Sequence, residues 1–426
     1  MSKTKNDIAW ERLFEKYKIL ENIERDGIFE ISASQINEFR EARLMTKFDH
    51  RKNLPGIFKK YKLSILPITR GSYVLSQFRA YKDFDEKDIE IIKVSFPTHI
   101  ESIDFENITS EATALNCAYV SGILADFIED DEILPTVSGR MSSENFDFFI
   151  QTYLETSVLV SVSNSQVEID GGYEGLKTLS LIEAKNSISD DFLIRQLYYP
   201  YRLWANKTSK QVKSLFLTYS NGIFSFYEYE FCDPKNYNSL SLIKHNKYTI
   251  EKTDITFQDI LEVLEKTIIV KEPIVAFPQA DSFERVVNLC ELLNESDLTR
   301  EEITTNYDFD PRQTNYYTDA GRYLGLIQKH RENGQIVFSL TSEGQKLFQM
   351  KHRQRQLRLV ELIFSHKAFN VAFELYIKRG CMPNRDEIVN IMKNSNLHNI
   401  NSESTFYRRA SSIIGWINWI IGLSKL

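Results

Sequence analysis

Apolar and polar residues alternate with a period of two along residues 167–170, Val212–Tyr219 (VKSLFLTY) and Ile223–Phe231 (IFSFYEYEF). That period predicts strands with one buried face. Between them lies Leu179–Lys185, LSLIEAK, an apolar run that turns charged at its end. As a strand it projects Glu183 and Lys185 from one face and Ile182 and Ala184 from the other. The connector Gly171-Gly172-Tyr173-Glu174-Gly175 has the glycines that a strand reversal needs. Register decides what meets. A reversal over residues 175–178 sets Asp170 opposite Glu183, whereas a tighter turn at Gly171-Gly172 does not. Next comes a helix opened by the acidic pair Asp190-Asp191, with Arg195 and Gln196 in its second turn. Upstream, Ser110 caps a helix that starts at Glu111 and carries a small-residue face of Ala114, Ala118 and Ser121.

The pattern divides the chain into four sections. Residues 1–85 read as an accessory or DNA-contacting module, with helices over 8–21 and 34–42 and short strands near 27–31 and 63–66. Residues 86–275 hold the strands above, preceded by alternating Phe146, Phe148 and Ile150. In residues 280–349, Phe283, Val286, Val287, Leu289, Cys290, Leu292 and Leu293 follow helical spacing. A second helix is capped by Thr299 with Glu302 closing the box, and a third runs from Pro311 to Leu324. A hairpin turning at Asn333-Gly334 follows. Residues 350–426 are helical, ending in IIGWINWIIGL, which is too short to span a membrane and reads as a buried helix.

Two carboxylates converging without a cation repel each other and desolvate badly. A hard divalent ion relieves both problems, and Mg²⁺ takes such oxygen ligands. The Ala184 carbonyl offers one oxygen more, and Lys185 would stand beside the attacking water and the scissile phosphate. A Glu-x-Lys pair on a strand is more often a solvated edge. Here it ends a core-like run, has an acid one hairpin upstream, and is followed by a helix. In these residues the chain resembles the PD-(D/E)XK nuclease superfamily, and more narrowly the bacterial type II restriction endonucleases.

The resemblance implies an α/β (α+β) fold, a mixed-sheet nuclease core with α-rich winged-helix additions. It implies Asp170 and Glu183 as metal ligands with Ala184, Lys185 as the catalytic lysine, Gln196 as the assisting glutamine, and Mg²⁺, with Mn²⁺ as a substitute. The usual proline before the first acid is absent, since Ile169 stands there. Glu111 is the candidate for a further acid on the upstream helix, Glu168 is the rival of Asp170, and Glu174 reads as turn decoration.

Three helices followed by a hairpin and LTSEG resemble a winged helix-turn-helix over residues 280–349. Its third helix would enter the major groove and offer Arg312, Gln313, Asn315, Tyr316 and Arg322, with Lys329, His330 and Arg331 on the wing. Glu301, Glu302, Asp308 and Asp310 make its first half acidic, which favours protein contacts there instead. Arg140, in a Gly-Arg pair with flanking serines that enters a strand, is a further candidate for phosphate or base contact, the alternative being a turn with a structural arginine. So are Arg408 and Arg409, at the start of the last helix. Lys47, His50, Arg51, Lys52, Lys59, Lys60 and Lys62 in the first section are dense enough for phosphate contacts, the alternative being a solvated surface.

A net charge of −7 looks wrong for a DNA binder, yet residues 321–426 hold 16 basic and 7 acidic residues, so the charge is polarised. Cys117, Cys232, Cys290 and Cys381 show no metal-type or disulfide spacing. With no signal-peptide pattern, the expected compartment is the bacterial cytoplasm. The partners to expect are double-stranded DNA, a separate cognate DNA methyltransferase and, to cut two strands, a second copy of the chain; no membrane is expected. Two other readings compete with the site-specific nuclease. One is a winged-helix transcription regulator with a non-catalytic middle domain; the other is a modification-dependent nuclease.

Overall fold

Gly175 donates its backbone N–H to the Thr178 carbonyl at 2.9 Å, so the reversal falls at the wider of the two expected positions. Strands Gln166–Glu174 and Thr178–Lys185 therefore pair antiparallel, Leu179 with Glu174 and Ile182 with Gly171. One further step of this register carries Asp170 opposite Glu183. The computed structural model describes residues 3–85, 89–250, 255–400 and 402–424; the expected boundary after residue 85 abuts the undescribed 86–88.

These two strands lie in a seven-stranded mixed sheet. Its order is Ile91–Lys93, Leu240–Thr249, Ile223–Phe231, Gln211–Ser220, Thr178–Lys185, Gln166–Glu174, Leu134–Ser142. Thr178–Lys185 runs parallel to Gln211–Ser220, which requires a crossover, and helix Arg195–Ala205 supplies it. That helix starts later than the sequence predicts. Asp191–Leu193 instead forms a short strand against Tyr81–Asp83, because Asp190 and Asp191 are drawn into ion pairs with other modules. Gln196 thus stands in the first helical turn.

Helix Glu111–Val120 covers one sheet face, where Ala114, Leu115, Cys117 and Ala118 share a core with Ile182, Ala184, Leu215 and Leu217. A Cβ on Gly171 would lie 3.3 Å from Leu115 Cδ1, so the glycine lets this helix come close to the Asp170 strand. Leu179, Leu181, Leu197, Tyr199 and Phe216 belong to a second core, which runs on into the N-terminal module through Trp10, Phe58 and Leu75. The hairpin Asn145–Gln151/Ser157–Ser163 stands outside the large sheet.

The third section folds as the pattern predicts. Helices Phe283–Glu295, Arg300–Asn306 and Pro311–Tyr323 accompany a sheet ordered Leu298–Thr299, Gln335–Leu340, Ile327–Glu332. Asn333 and Gly334 both adopt positive φ, 49° and 77°, as a two-residue hairpin turn between twisted strands demands. The last section does not stand apart. Phe369, Trp416 and Ile420 share one core with Leu289 and Leu292. Gly415 lets helix Glu403–Leu423 touch the backbone at Asp281, where a Cβ would meet the Asp281 carbonyl oxygen at 1.9 Å. Among the described residues no helix is long and apolar enough to cross a membrane.

Candidate active site

The sheet brings the expected residues together at the end of the Glu183 strand. Lys185 Nζ donates to Glu183 Oε1 at 2.6 Å and to the Ala184 carbonyl at 3.2 Å. Gln196 Nε2 reaches the same Glu183 oxygen at 2.7 Å, from the crossover helix on the same side of the sheet. Asp170 Oδ2 accepts the Ala184 N–H at 2.8 Å. From the opposite helix, Glu111 Oε1 lies 3.9 Å from Lys185 Nζ, so the Ser110-capped helix delivers its acid to the cluster. Glu168 does not join: it is exposed and pairs with Arg140 at 3.1 Å. Glu174 pairs with Lys210 at 2.7 Å beside the turn.

Sequence reasoning missed one participant. Asp49 lies inside the basic stretch Lys47–Lys52, and only 13% of its side chain is exposed. Its charge acts on Lys185, Glu183 and Glu111. Neighbouring backbone is pinned to the core, since Tyr81 Oη donates to the Phe48 carbonyl at 2.8 Å and His50 Nδ1 sits 2.7 Å from the Asp191 carbonyl. The available signal was a lone aspartate within a run of cations.

Four carboxylates thus act on Lys185, and Asp49 also lies 3.8 Å from Lys47 Nζ. Burial raises Lys185's cost of charge, but Glu183, Glu111, Asp49 and Asp170 outweigh it and hold Lys185 above the usual lysine range. Burial, with Asp170 adding repulsion against the pull of Lys185, pushes Glu183 up to about 7. Glu111 is raised as well, first by burial. The negative excess, the hard oxygen donors and the buried Gln196 Oε1, which has no hydrogen-bond partner among the described residues, fit a hydrated divalent ion such as Mg²⁺.

Other expected contact residues are committed elsewhere. His50 is buried; Arg51 bonds Asp83 and lies 3.5 Å from Asp191; Lys52 lies 2.5 Å from Asp190 and 3.3 Å from Asp308. These three do not form a phosphate surface. They fasten the N-terminal module to the core and to the section that begins at residue 280. His50, Asp191 and Asp308 offer ligand atoms within 4.8 Å of one another. Arg51, Lys52 and Arg285 already neutralise those carboxylates, so the triad is a buried ionic junction.

On Pro311–Tyr323, Arg312 and Asn315 are exposed and Tyr316 is half-buried. Gln313 is not a free reader, because its Oε1 accepts the Asp310 N–H at 3.2 Å in a capping box. Arg322 pairs with Asp319 at 2.6 Å. Lys329, His330 and Arg331 are exposed on the wing, and Arg408 at the start of the last helix. Arg409 is half-buried, and its Nη1 donates to the Asn399 carbonyl at 3.4 Å. Of the acidic residues in the first half of this section, Glu301 pairs with Arg40 at 2.7 Å and Lys5 at 3.1 Å and Asp308 with Arg285 at 3.0 Å, while Glu302 is exposed.

Three family models match the chain, and each is described as a domain of unknown function: DUF6996 over residues 7–75, DUF6997 over 76–249 and DUF7226 over 285–425. The second match contains Asp170, Glu183, Lys185, Gln196 and Glu111. The third treats the winged-helix section and the C-terminal helices as one unit, as does their common core. No curated protein and no solved structure matches the chain.

Proposed function

We propose that the protein is a Mg²⁺-dependent endonuclease that cuts double-stranded DNA at chosen sites, in the manner of type II restriction enzymes. One observation carries the reading: Asp170, Glu183, Lys185 and Gln196 converge on a single point of the sheet, with Glu111 behind them. A divalent ion held by Asp170, Glu183 and the Ala184 carbonyl, with Mn²⁺ as a substitute, would activate the attacking water and neutralise charge on the phosphate. Lys185 Nζ, which donates to Glu183 here, would donate to a phosphate oxygen of bound DNA. Gln196 Oε1 would accept a hydrogen bond from the attacking water and orient it for in-line attack.

Choice of site would rest on the winged-helix unit. Arg312 and Asn315 are exposed where a third helix meets base edges, and Lys329 and Arg408 are exposed nearby for backbone contact. Arg140 would add a cation at the sheet edge once freed from Glu168. A cognate methyltransferase on a separate chain, pairing of two copies on the duplex and a cytoplasmic setting belong to the same proposal. A transcription regulator would leave the buried acid cluster without a role, and burying several like charges is costly unless they are used.

Incubation of plasmid DNA with the purified chain tests the proposal. Linear or fragmented product with Mg²⁺, and none with chelator, supports it. Sequence-specific binding with no cutting would favour the regulator. Comparing methylated with unmethylated plasmid separates the modification-dependent alternative.

A further inference from the structure

We infer that Asn288 is a positioning residue for the candidate site: from the first helix of the winged-helix unit it holds the segment that follows Lys185. The inference rests on the nuclease reading of that site.

Helix Phe283–Glu295 buries Val286, Val287, Leu289, Cys290, Leu292 and Leu293, most of them within its own unit. Its remaining stripe carries Arg285, Asn288, Glu291 and Glu295, spaced by three or four residues and so aligned on one face. All four reach across to the nuclease section. Arg285 Nη2 bonds Asp190 at 2.6 Å, and Glu291 accepts from Ser220 Oγ at 2.7 Å and Asn221 N–H at 2.8 Å. Glu295 Oε1 accepts from Asn186 Nδ2 at 2.6 Å.

Asn288 makes the tightest use of its groups. Its Nδ2 donates to the Asn186 carbonyl at 2.9 Å and, more weakly, to Glu291 at 3.3 Å; its Oδ1 accepts the Ile188 N–H at 3.0 Å. Residues 186–190 have no regular structure, so their backbone groups need partners from elsewhere, and this amide supplies two. Asn288 is only 2% exposed, so water cannot easily replace those bonds.

Asn186 follows Lys185 directly, and its Nδ2 also lies 3.3 Å from the Thr109 carbonyl, one residue before the Ser110 cap of the Glu111 helix. A shift of the 186–188 segment therefore moves both Lys185 and the approach to Glu111. The domain that would choose the site thereby holds the segment on which cutting depends. Glu295 and Arg285 hold the side chains of Asn186 and Asp190, while Asn288 holds the backbone between them.

The test compares wild-type full-length chain, Asn288→Ala and Gln356→Ala, with Mg²⁺ and saturating duplex DNA. Gln356 serves as the control because it makes a cross-domain bond to Asn221 Oδ1 at 2.6 Å, in the turn over residues 220–223 and not in the 186–190 segment. The single-turnover rate of Asn288→Ala should fall about 100-fold, as small misplacement of a reacting group does, with DNA affinity within about twofold. Gln356→Ala should cut within about threefold of wild type, and Asn288→Asp, which keeps the acceptor for Ile188, should recover part of the loss.

Hydrogen exchange over residues 183–190 is read in parallel, and Asn288→Ala should accelerate it there while Gln356→Ala should not. Unchanged exchange in Asn288→Ala overturns the inference, as does a cutting rate equal to wild type or equal to the control. Faster exchange in Asn288→Ala, where the wild-type protein itself never cuts DNA, would overturn the nuclease reading alone and leave the clamp established.

Discussion

Asp170 accepts the amide proton of Ala184 through Oδ2 at 2.8 Å, which seats its carboxylate across the strand pair from Glu183. The bond fixes one oxygen and leaves the other available to a ligand. Asp170→Asn keeps an acceptor for the Ala184 N–H but removes the charge. We expect this variant to retain its melting temperature and to lose at least about tenfold in Mg²⁺ or Mn²⁺ affinity by calorimetric titration. Unchanged metal affinity would remove Asp170 from the ligand set.

Glu183 links the site to pH. Its carboxyl, pushed up to about 7 by burial, must lose its proton before it binds an ion. Metal affinity should therefore fall as pH drops through about 7, and binding near neutral pH should release protons, measurable as a buffer-dependent enthalpy. The sign for stability runs the other way. The folded state binds this proton more tightly than the unfolded chain, so this group's contribution to metal-free stability is present near the ordinary carboxyl range and declines as pH rises toward 7. Glu295, raised to about 7 first by burial and then by Glu111 and Glu291, acts in the same window. Metal affinity that is flat between pH 6 and 8 would contradict this.

Arg285 is the cation at the centre of the three-module junction. It bonds Asp190 at 2.6 Å and Asp308 at 3.0 Å, with its own side chain 7% exposed. Asp308, which is 1% exposed, would keep Lys52, a backbone N–H and the nearby His50 if Arg285 were removed. Arg285→Ala should destabilise the chain by about 3 kcal/mol or more, because it strands a buried carboxylate. Denaturant unfolding checks this, and a loss below about 1 kcal/mol would mean that water reaches the junction.

On the third helix of the winged unit, Arg312 and Gln313 should separate. Arg312→Ala is expected to weaken duplex binding and reduce its salt dependence by about one counterion, or to relax specificity by about 1–3 kcal/mol at one base. Gln313→Ala should cost about 1 kcal/mol of stability through the lost cap and leave sequence preference unchanged. Salt-dependent binding titrations distinguish the two.

Much of this was legible in the sequence because the periods were clean. Strand alternation around Asp170 and Glu183, the glycines of the connector and the Asn333-Gly334 turn report local geometry that the backbone enforces. The seven-strand order was not legible, since which strands become neighbours depends on long-range packing. Asp49 was hidden for the same reason: only the tertiary fold carries it from the first section to Lys185. His50, Arg51 and Lys52 were misread as a surface because composition cannot tell a solvated cation from one facing buried carboxylates. Asp190 and Asp191 were read as a helix cap, and cross-module ion pairing overrode that local signal.

The central claim is that Lys185 and its carboxylates cut DNA. Its most direct test is Mg²⁺-started single-turnover cleavage of duplex DNA by wild type and Lys185→Ala, with duplex and metal affinity measured on the same preparations. The account predicts cutting by wild type and a rate at least about 100-fold lower in Lys185→Ala, with duplex affinity within about twofold. A wild-type protein that binds duplex and Mg²⁺ without cutting, or a Lys185→Ala variant that cuts at the wild-type rate, would contradict it.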